Sequence, residues 1–175
     1  MATLPASDAA QGPRATAASL HALADALIAR DQRVAFAESC TGGLIAKLAT
    51  DLAGSSAWFE CGLVTYSNRA KHNFLDVPEQ VFETDGAVSR ACALAMVDGL
   101  LRRTGAHWGA AVTGIAGPGG GSADKPVGTV WIGWAGGSQP AAAEHFHFSG
   151  DRAAVRERAA EAALVGLIRR LQDAG

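Results

Sequence analysis

The sequence of 175 residues lacks the features that mark several classes of protein. Its three cysteines, Cys40, Cys61 and Cys92, are widely spaced and form no CxxC pair, so they indicate neither a disulfide framework nor a zinc site. No secretory signal opens the chain, and no apolar run approaches the roughly 18 residues that a membrane helix needs. We therefore expect a cytoplasmic protein that binds no metal and no membrane.

An excess of positive charge is also missing. Fifteen basic residues face 17 acidic ones, which gives a net charge of −2 and no basic patch for nucleic acid. A hydrophobic content of 49% with 18% charged residues is typical of a folded globular protein. We expect one domain, residues 15–173, after a flexible leader, residues 1–14, that is rich in small residues and proline.

Strand-like and helix-like patterns alternate along the chain, which predicts an α/β fold. The pattern predicts helices at residues 20–28, 44–52, 88–103 and 151–171, about five strands at residues 33–37, 58–66, 108–113, 128–135 and 143–148, and a connector at 78–86. A Gly136-Gly137-Ser138 link between the last two strands predicts that one of them is antiparallel.

The stretch Ala37-Glu38-Ser39-Cys40-Thr41-Gly42-Gly43 joins the first strand to a helix and concentrates hydroxyl, thiol and glycine residues. The first amides of a helix lack intrahelical acceptors, so such a turn favours an anion or an oxyanion. Glycines there let backbone approach a bound group closely. The alternative is structural, because Ser39 or Thr41 could serve only as a helix cap.

Two other polar segments follow predicted strands. Residues 66–71 include Tyr66, Asn68 and Lys71, and Thr113 with Gly114 opens a glycine-rich loop. If their strands run parallel to the first, both segments lie at the sheet edge where α/β proteins bind ligands. The loop contains neither GxGxxG nor a P-loop motif, and a plain surface loop is the alternative.

Arg152 stands in the first turn of the last predicted helix, the unfavourable end of the dipole for a cation. The position indicates either an anionic partner or an ion pair with Asp151 or Glu157. His145 and His147 lie two residues apart in a predicted strand, but no third residue at a spacing typical of metal ligands supports a metal site.

Seven motifs, in order and spacing, closely resemble the CinA C-terminal domain family from the first helix to the last. They are Glu38-Ser39-Cys40-Thr41-Gly42-Gly43, Gly54-Ser55-Ser56, Tyr66-Ser67-Asn68-Arg69-Ala70-Lys71, Gly86-Ala87-Val88-Ser89, Val112-Thr113-Gly114-Ile115-Ala116-Gly117-Pro118, Lys125-Pro126-Val127-Gly128-Thr129-Val130 and Gly150-Asp151-Arg152. The departures are Ala53, where the family often has proline, Asp76, where it often has glycine, and a variable loop at residues 119–124.

The resemblance implies a three-layer α/β/α sandwich with a mixed, mostly parallel sheet. It also implies an amidohydrolase without a cofactor that converts nicotinamide mononucleotide to nicotinate mononucleotide and ammonia, in pyridine nucleotide salvage. We expect the stand-alone form of the family, because the chain is too short for the additional N-terminal domain of the longer form. The family tendency is a homo-oligomer, a dimer or larger.

The resemblance also implies roles for residues. Ser39 is the expected nucleophile and Lys71 its base, through or alongside Tyr66, with amides of the turn at residues 41–43 as oxyanion donors. Two alternatives stay open: Lys71 stays charged and binds phosphate while Tyr66 or a water acts as base, and Cys40 replaces Ser39. The expected oxyanion and substrate-binding residues are Cys40, Thr41, Gly42, Gly43, Ser56, Asn68, Thr113, Gly114 and Arg152, with Arg152 on the phosphate.

A different class of function fits the same residues. The domain would bind a nucleotide as a sensor, without turnover, or serve as an interaction domain of a competence or damage response. A sensor predicts ligand binding without ammonia release.

Overall fold

The structure, a computed structural model, describes residues 13–174 and the side chains of residues 17–174. Most of the predicted leader therefore lies outside the described residues, and the first helix already includes Pro13. The elements in chain order are α1 Pro13–Ile28, β1 Val34–Glu38, α2 Leu44–Asp51, a 3-10 turn Ser55–Ala57, β2 Phe59–Val64, α3 Asn68–Leu75, α4 Glu79–Thr84, α5 Arg90–Thr104, β3 Trp108–Gly114, β4 Thr129–Gly136, β5 Gln139–His147 and α6 Arg152–Asp173.

The five strands form one sheet in the order β2-β1-β3-β4-β5. β1 pairs in parallel with both β2 and β3, while β4 is antiparallel to β3 and to β5. Four strands thus run in one direction and β4 alone runs against them, so the predicted mixed, mostly parallel sheet is confirmed. The short β4–β5 link makes the predicted antiparallel pair.

Helices cover both faces of the sheet, which makes three layers. Every residue of β1 is buried, as expected of a central parallel strand, and its side chains alternate between two cores. Val34 and Phe36 join the core under α1, α2 and α6. Ala35 and Ala37 join the core under α3 and α5.

A close contact between α3 and α5 fixes the element that carries Lys71. A Cβ added at Gly99 of α5 would lie 1.7 Å from the carbonyl oxygen of Leu75, at the end of α3. Only glycine permits this approach. Ser67 caps α3 by accepting from the Ala70 amide at 3.0 Å, and Ser89 caps α5 by accepting from the Cys92 amide at 3.1 Å.

Two short helices were not predicted from the sequence. The connector at residues 78–86 contains α4, and the polar segment at residues 66–71, which follows β2 as predicted, continues into α3. Both helices are short and carry many polar residues, so their apolar periodicity is weak. β5 also begins at Gln139, four residues before its predicted start.

No helix within residues 13–174 has the length and apolar character needed to cross a bilayer. In the same part of the chain, no three His, Cys, Asp or Glu side chains cluster in a way that could hold a metal ion.

Candidate active site

A cleft of about 270 Å³ opens at the carboxyl ends of β1 and β3. Its walls are the β1–α2 turn, the segment that enters α3, the segment before α5, the first residue of α6, and the loop of residues 115–128 between β3 and β4. We call residues 39–43, which contain the predicted nucleophile Ser39, the nucleophile turn, and residues 115–128 the glycine loop. Of the twelve predicted site residues, eight line this cleft: Ser39, Cys40, Tyr66, Asn68, Lys71, Thr113, Gly114 and Arg152.

The other four predicted residues lie elsewhere. Thr41, Gly42 and Gly43 belong to the nucleophile turn but do not line the cleft, and the Thr41 side chain is fully buried. Ser56 is exposed in the 3-10 turn that precedes β2, at the amino end of that strand, whereas the cleft lies at the carboxyl ends. The substrate contact predicted for Ser56 is therefore not part of this cleft.

Ser39 and Lys71 are in direct contact although 32 positions separate them in sequence. Lys71 Nζ donates to Ser39 Oγ at 2.9 Å, and it also donates to the carbonyl oxygens of Thr65 at 2.8 Å and Tyr66 at 3.4 Å. The Lys71 side chain is only 2% exposed. These contacts hold the amine at the hydroxyl and leave it little freedom to move.

Burial lowers the pKa of the Lys71 ammonium below its usual value, an effect that the neighbouring thiols of Cys92 and Cys40 partly oppose. The four ion pairs among the described side chains do not include Lys71. A buried amine without an anionic partner loses its proton more easily than an exposed one. Lys71 thus has the environment that a general base requires.

Cys40, the open alternative for the nucleophile, has the opposite environment. Burial raises the pKa of its thiol to about 11, although its own amide, Lys71 and the Thr41 amide oppose the shift. A helix N-terminus by itself lowers the pKa of a thiol. Desolvation outweighs that effect, so the thiol stays protonated near neutral pH.

Tyr66 and Arg152 meet at the mouth of the cleft. Arg152 donates to the Tyr66 hydroxyl at 2.9 Å and to the Gly117 carbonyl oxygen at 2.7 Å. The Tyr66 side chain is 58% exposed. Lys71 bonds to the backbone of Tyr66 and not to its hydroxyl, so the ring does not link the lysine to Ser39. The ion pair considered for Arg152 is absent among the described side chains.

The nucleophile turn uses most of its own amides. The Glu38 carboxylate accepts from the amides of Gly43 at 2.9 Å, Ile45 at 3.2 Å and Ala46 at 2.8 Å, and so caps α2. The Gly42 amide donates to the Ser39 carbonyl oxygen at 3.0 Å. The prediction that Gly42 and Gly43 supply oxyanion donors is therefore wrong, because both amides already have acceptors.

Other amides near the cleft have no protein acceptor within residues 13–174. They belong to Cys40, Gly117, Gly119 and Gly120, all of which line the cleft. The Thr113 hydroxyl donates to the Ala87 carbonyl oxygen at 2.7 Å and joins β3 to the segment before α5. The cleft therefore presents a hydroxyl in contact with a buried amine, backbone donors and one guanidinium, with no carboxylate in its lining.

Sequence reasoning missed Glu38 as a cap, Arg156 as a contact of the nucleophile turn, and the glycine loop beyond Gly114 as a wall of the cleft. An acidic residue shortly before a helix is a recognisable cap signal. The glycine-rich loop after Thr113 is visible in the sequence, but nothing in composition separates a ligand-binding loop from a surface loop. No local sequence pattern indicates a role for Arg156, because its hydrogen-bond partner is a backbone carbonyl oxygen 115 positions away.

Comparisons with known proteins identify the family of the whole chain. The sequence profile of the CinA C-terminal domain family matches residues 16–171. The nicotinamide-nucleotide amidohydrolase PncC of Enterobacter agglomerans is 56% identical over 135 residues, which cover 77% of this chain and 82% of that protein. A CinA-like protein of Akkermansia muciniphila is 49% identical over 81% of this chain, which spans 34% of that longer protein.

A solved structure gives the same result for the fold. The competence/damage-inducible protein CihA from Agrobacterium tumefaciens has a TM-score of 0.87 at 38% identity, over 98% of this chain and 99% of that chain. A family profile over most of the sequence, close relatives and a shared fold lead to one assignment. The chain belongs to the CinA C-terminal domain family.

Proposed function

We propose that this protein is an amidohydrolase that converts nicotinamide mononucleotide to nicotinate mononucleotide and ammonia. The observation that carries the proposal is the 2.9 Å contact between Lys71 Nζ and Ser39 Oγ in a buried position of the cleft. A serine activated by a base is a nucleophile for acyl transfer, and a carboxamide is an acyl group. The relative from Enterobacter agglomerans is named for this reaction on a nicotinamide nucleotide.

In the first half of the reaction, neutral Lys71 takes the proton of the Ser39 hydroxyl while Ser39 Oγ bonds to the carboxamide carbon. The carbonyl oxygen becomes an oxyanion, and the free Cys40 amide is the donor of the turn available to it. Lys71 then gives its proton to the amide nitrogen, the C–N bond breaks and ammonia leaves. The product of this half is an ester between Ser39 and the nicotinoyl group.

In the second half, Lys71 takes a proton from water, whose oxygen attacks the ester. The C–O bond to Ser39 breaks, and Lys71 returns the proton to Ser39 Oγ. The acid product and the free enzyme result. A single base serves both halves because it stays in contact with the same hydroxyl.

Binding of a nucleotide fits the charge of the cleft. Arg152 has only neutral partners, the Gly117 carbonyl and the Tyr66 hydroxyl, so its charge is available to a phosphate. The free amides of Gly117, Gly119 and Gly120 lie in the same wall. We assign this wall to the phosphate and the Ser39 side to the carboxamide.

We also propose that the enzyme works in pyridine nucleotide salvage in the cytoplasm as a homo-oligomer, with a small-molecule substrate and without nucleic acid. Resemblance to the family supports these points. Light scattering coupled to size exclusion tests the assembly, and a single-chain mass would contradict it.

Ammonia release from nicotinamide mononucleotide tests the reaction. The wild type is expected to release ammonia, Ser39→Ala to lose turnover and still bind the substrate by calorimetry, and Cys40→Ala to keep turnover. Loss of turnover in Cys40→Ala alone would move the nucleophile to the thiol. A wild type that binds the nucleotide and releases no ammonia would favour the sensor.

A further inference from the structure

Two charged side chains that do not line the cleft, Glu38 and Arg156, bind the backbone of the nucleophile turn. We propose that Glu38 and Arg156 are positioning residues, which fix Ser39 Oγ against Lys71 Nζ without contacting substrate. The Glu38 carboxylate accepts hydrogen bonds from backbone amides at the end of the turn and the start of α2. Arg156 donates hydrogen bonds to the Thr41 carbonyl oxygen within the turn. The inference rests on the proposed function, since it assigns these residues to the reactivity of Ser39.

Glu38 precedes Ser39 directly and is completely buried. Its carboxylate receives three hydrogen bonds, from the amides of Gly43, Ile45 and Ala46. A neutral serine or threonine suffices to cap a helix, whereas a buried carboxylate is costly unless several donors satisfy it. Here the donors are the last residue of the turn and two residues at the start of α2, so the carboxylate ties residue 38 to residues 43–46 and closes the backbone around Ser39.

Arg156 reaches the same turn from α6. Its Nε and one terminal nitrogen donate to the Thr41 carbonyl oxygen at 3.1 Å and 2.7 Å. Thr41 is two residues after Ser39 and is fully buried. A guanidinium that gives two hydrogen bonds to one oxygen fixes both its distance and its direction. Displacing Ser39 therefore requires breaking contacts to both charged groups.

The contact between Ser39 and Lys71 depends on this geometry because the lysine has little freedom of its own. Lys71 is held by the Thr65 and Tyr66 carbonyl oxygens on another segment. The hydroxyl must therefore be brought to the amine by the turn. A small displacement of a reacting group costs rate even when the substrate still binds.

The variants Glu38→Gln and Arg156→Met test the proposal. Gln keeps the size of Glu38 but places an NH₂ group against amide donors, and Met keeps the apolar stem of Arg156 without its donors. We expect each to lower kcat about tenfold or more with KM within about twofold of wild type. Because both act through one turn, the double variant should lose less than the product of the single losses.

Control variants come from α6 and from β2, the strand that pairs with β1. Arg158→Met removes an α6 arginine that donates to the Ser149 carbonyl oxygen and hydroxyl, away from the turn. Glu60→Gln removes a carboxylate of β2 that accepts from Arg33. Both controls should keep kcat within about twofold of wild type. Circular dichroism and thermal unfolding establish that each variant is folded.

A second measurement reports Ser39 without the substrate: the rate at which a sulfonyl fluoride modifies Ser39, followed by mass spectrometry with Ser39→Ala as the blank. The proposal expects slower modification in Glu38→Gln and Arg156→Met than in the two controls. If Glu38→Gln does not fold, Arg156→Met decides, because Arg156 lies half-buried on a helix surface.

The inference would be overturned if Glu38→Gln and Arg156→Met matched the controls in both kcat and modification rate. It would also be overturned if the two controls lost as much kcat as these variants. A wild type that releases no ammonia but reacts at Ser39 would overturn the proposed function, and the modification rates would still decide the positioning role. A wild type that shows neither activity would overturn both.

Discussion

The nucleophile turn and the glycine loop form facing walls of one cleft but use their backbones differently. The turn directs its Gly42 and Gly43 amides to Ser39 and Glu38. The loop leaves the amides of Gly117, Gly119 and Gly120 without protein acceptors in the described part of the chain. A backbone segment whose amides already have acceptors in the protein is fixed in place, whereas a segment with free amides can donate hydrogen bonds to a ligand.

The anchors of the two segments differ in the same way. Two charged side chains hold the turn, the fully buried Glu38 and the half-buried Arg156. The loop is held at its ends, by Arg152 on the Gly117 carbonyl oxygen and by Lys125 on the Asp85 carbonyl oxygen at 2.8 Å, and residues 118–124 between them are exposed. We therefore expect changes in the turn to alter the rate and changes in the loop to alter the affinity.

Removal of the base is expected to have the largest effect. Lys71→Met should lower kcat by about a thousandfold or more, because Ser39 then lacks the group that takes its proton. Lys47→Met, an exposed lysine of α2 paired with Asp51, is the control. Steady-state ammonia release measures both, and a Lys71→Met enzyme within about tenfold of wild type would reject the lysine as base.

Arg152→Met is expected to affect binding. It should raise KM for nicotinamide mononucleotide about thirtyfold, since a phosphate loses a charge-assisted contact, and change kcat little. Nicotinamide riboside, which lacks the phosphate, should show the same kcat/KM with wild type and variant. A loss of equal size on the riboside would place Arg152 in catalysis and break the division between turn and loop. Arg158→Met is the matched control.

The pH dependence of kcat/KM reports the proton of Lys71. Burial lowers its pKa below the lysine value of 10.5, and the reaction needs the neutral amine. Activity should therefore rise with pH, about tenfold per unit well below that pKa, and level off above it. An acid-favoured profile would contradict the base role and support Lys71 as a permanent phosphate-binding cation.

Much of the fold was predictable because periodicity is strong where burial is strong. β1 is entirely apolar up to Glu38, and the stripes of α5 and α6 identify their buried faces. α3 and α4 were missed because they are short and polar. Their positions depend on tertiary contacts such as Leu75 against Gly99, which no local pattern contains.

The residues of the candidate site were also predictable only where a local sequence pattern marks them. Ser39 and Lys71 were predicted from polar segments that follow strands, and Arg152 from its place in the first turn of the last helix. All three line the cleft. Ser56 was assigned by resemblance alone and lies at the opposite end of β2. The occupied amides of Gly42 and Gly43 were not predictable, because Glu38 had to be known to turn back onto α2.

Two glycines of the loop provide a matched pair with a smaller effect. Gly117 has a φ of +83°, and a Cβ there would lie 2.6 Å from Val127, whereas a Cβ at Gly119 meets nothing within 4 Å. Gly117→Ala should raise KM about tenfold by displacing the loop, with kcat less affected. Gly119→Ala should stay within about twofold of wild type. A fall of kcat alone in Gly117→Ala would show that the loop, too, controls rate.

The smallest effect is expected at Cys40, next to the nucleophile. With a pKa of about 11, roughly one thiol in ten thousand is ionised at neutral pH, and alkylation requires the thiolate. Brief treatment with iodoacetamide should therefore modify the more accessible Cys61 first, leave Cys40 intact by mass spectrometry, and leave ammonia release unchanged. Rapid modification of Cys40 would mean that the turn opens and exposes it. The nucleophile turn would then be as mobile as the loop it faces, and the division between a fixed catalytic wall and an open binding wall would fail.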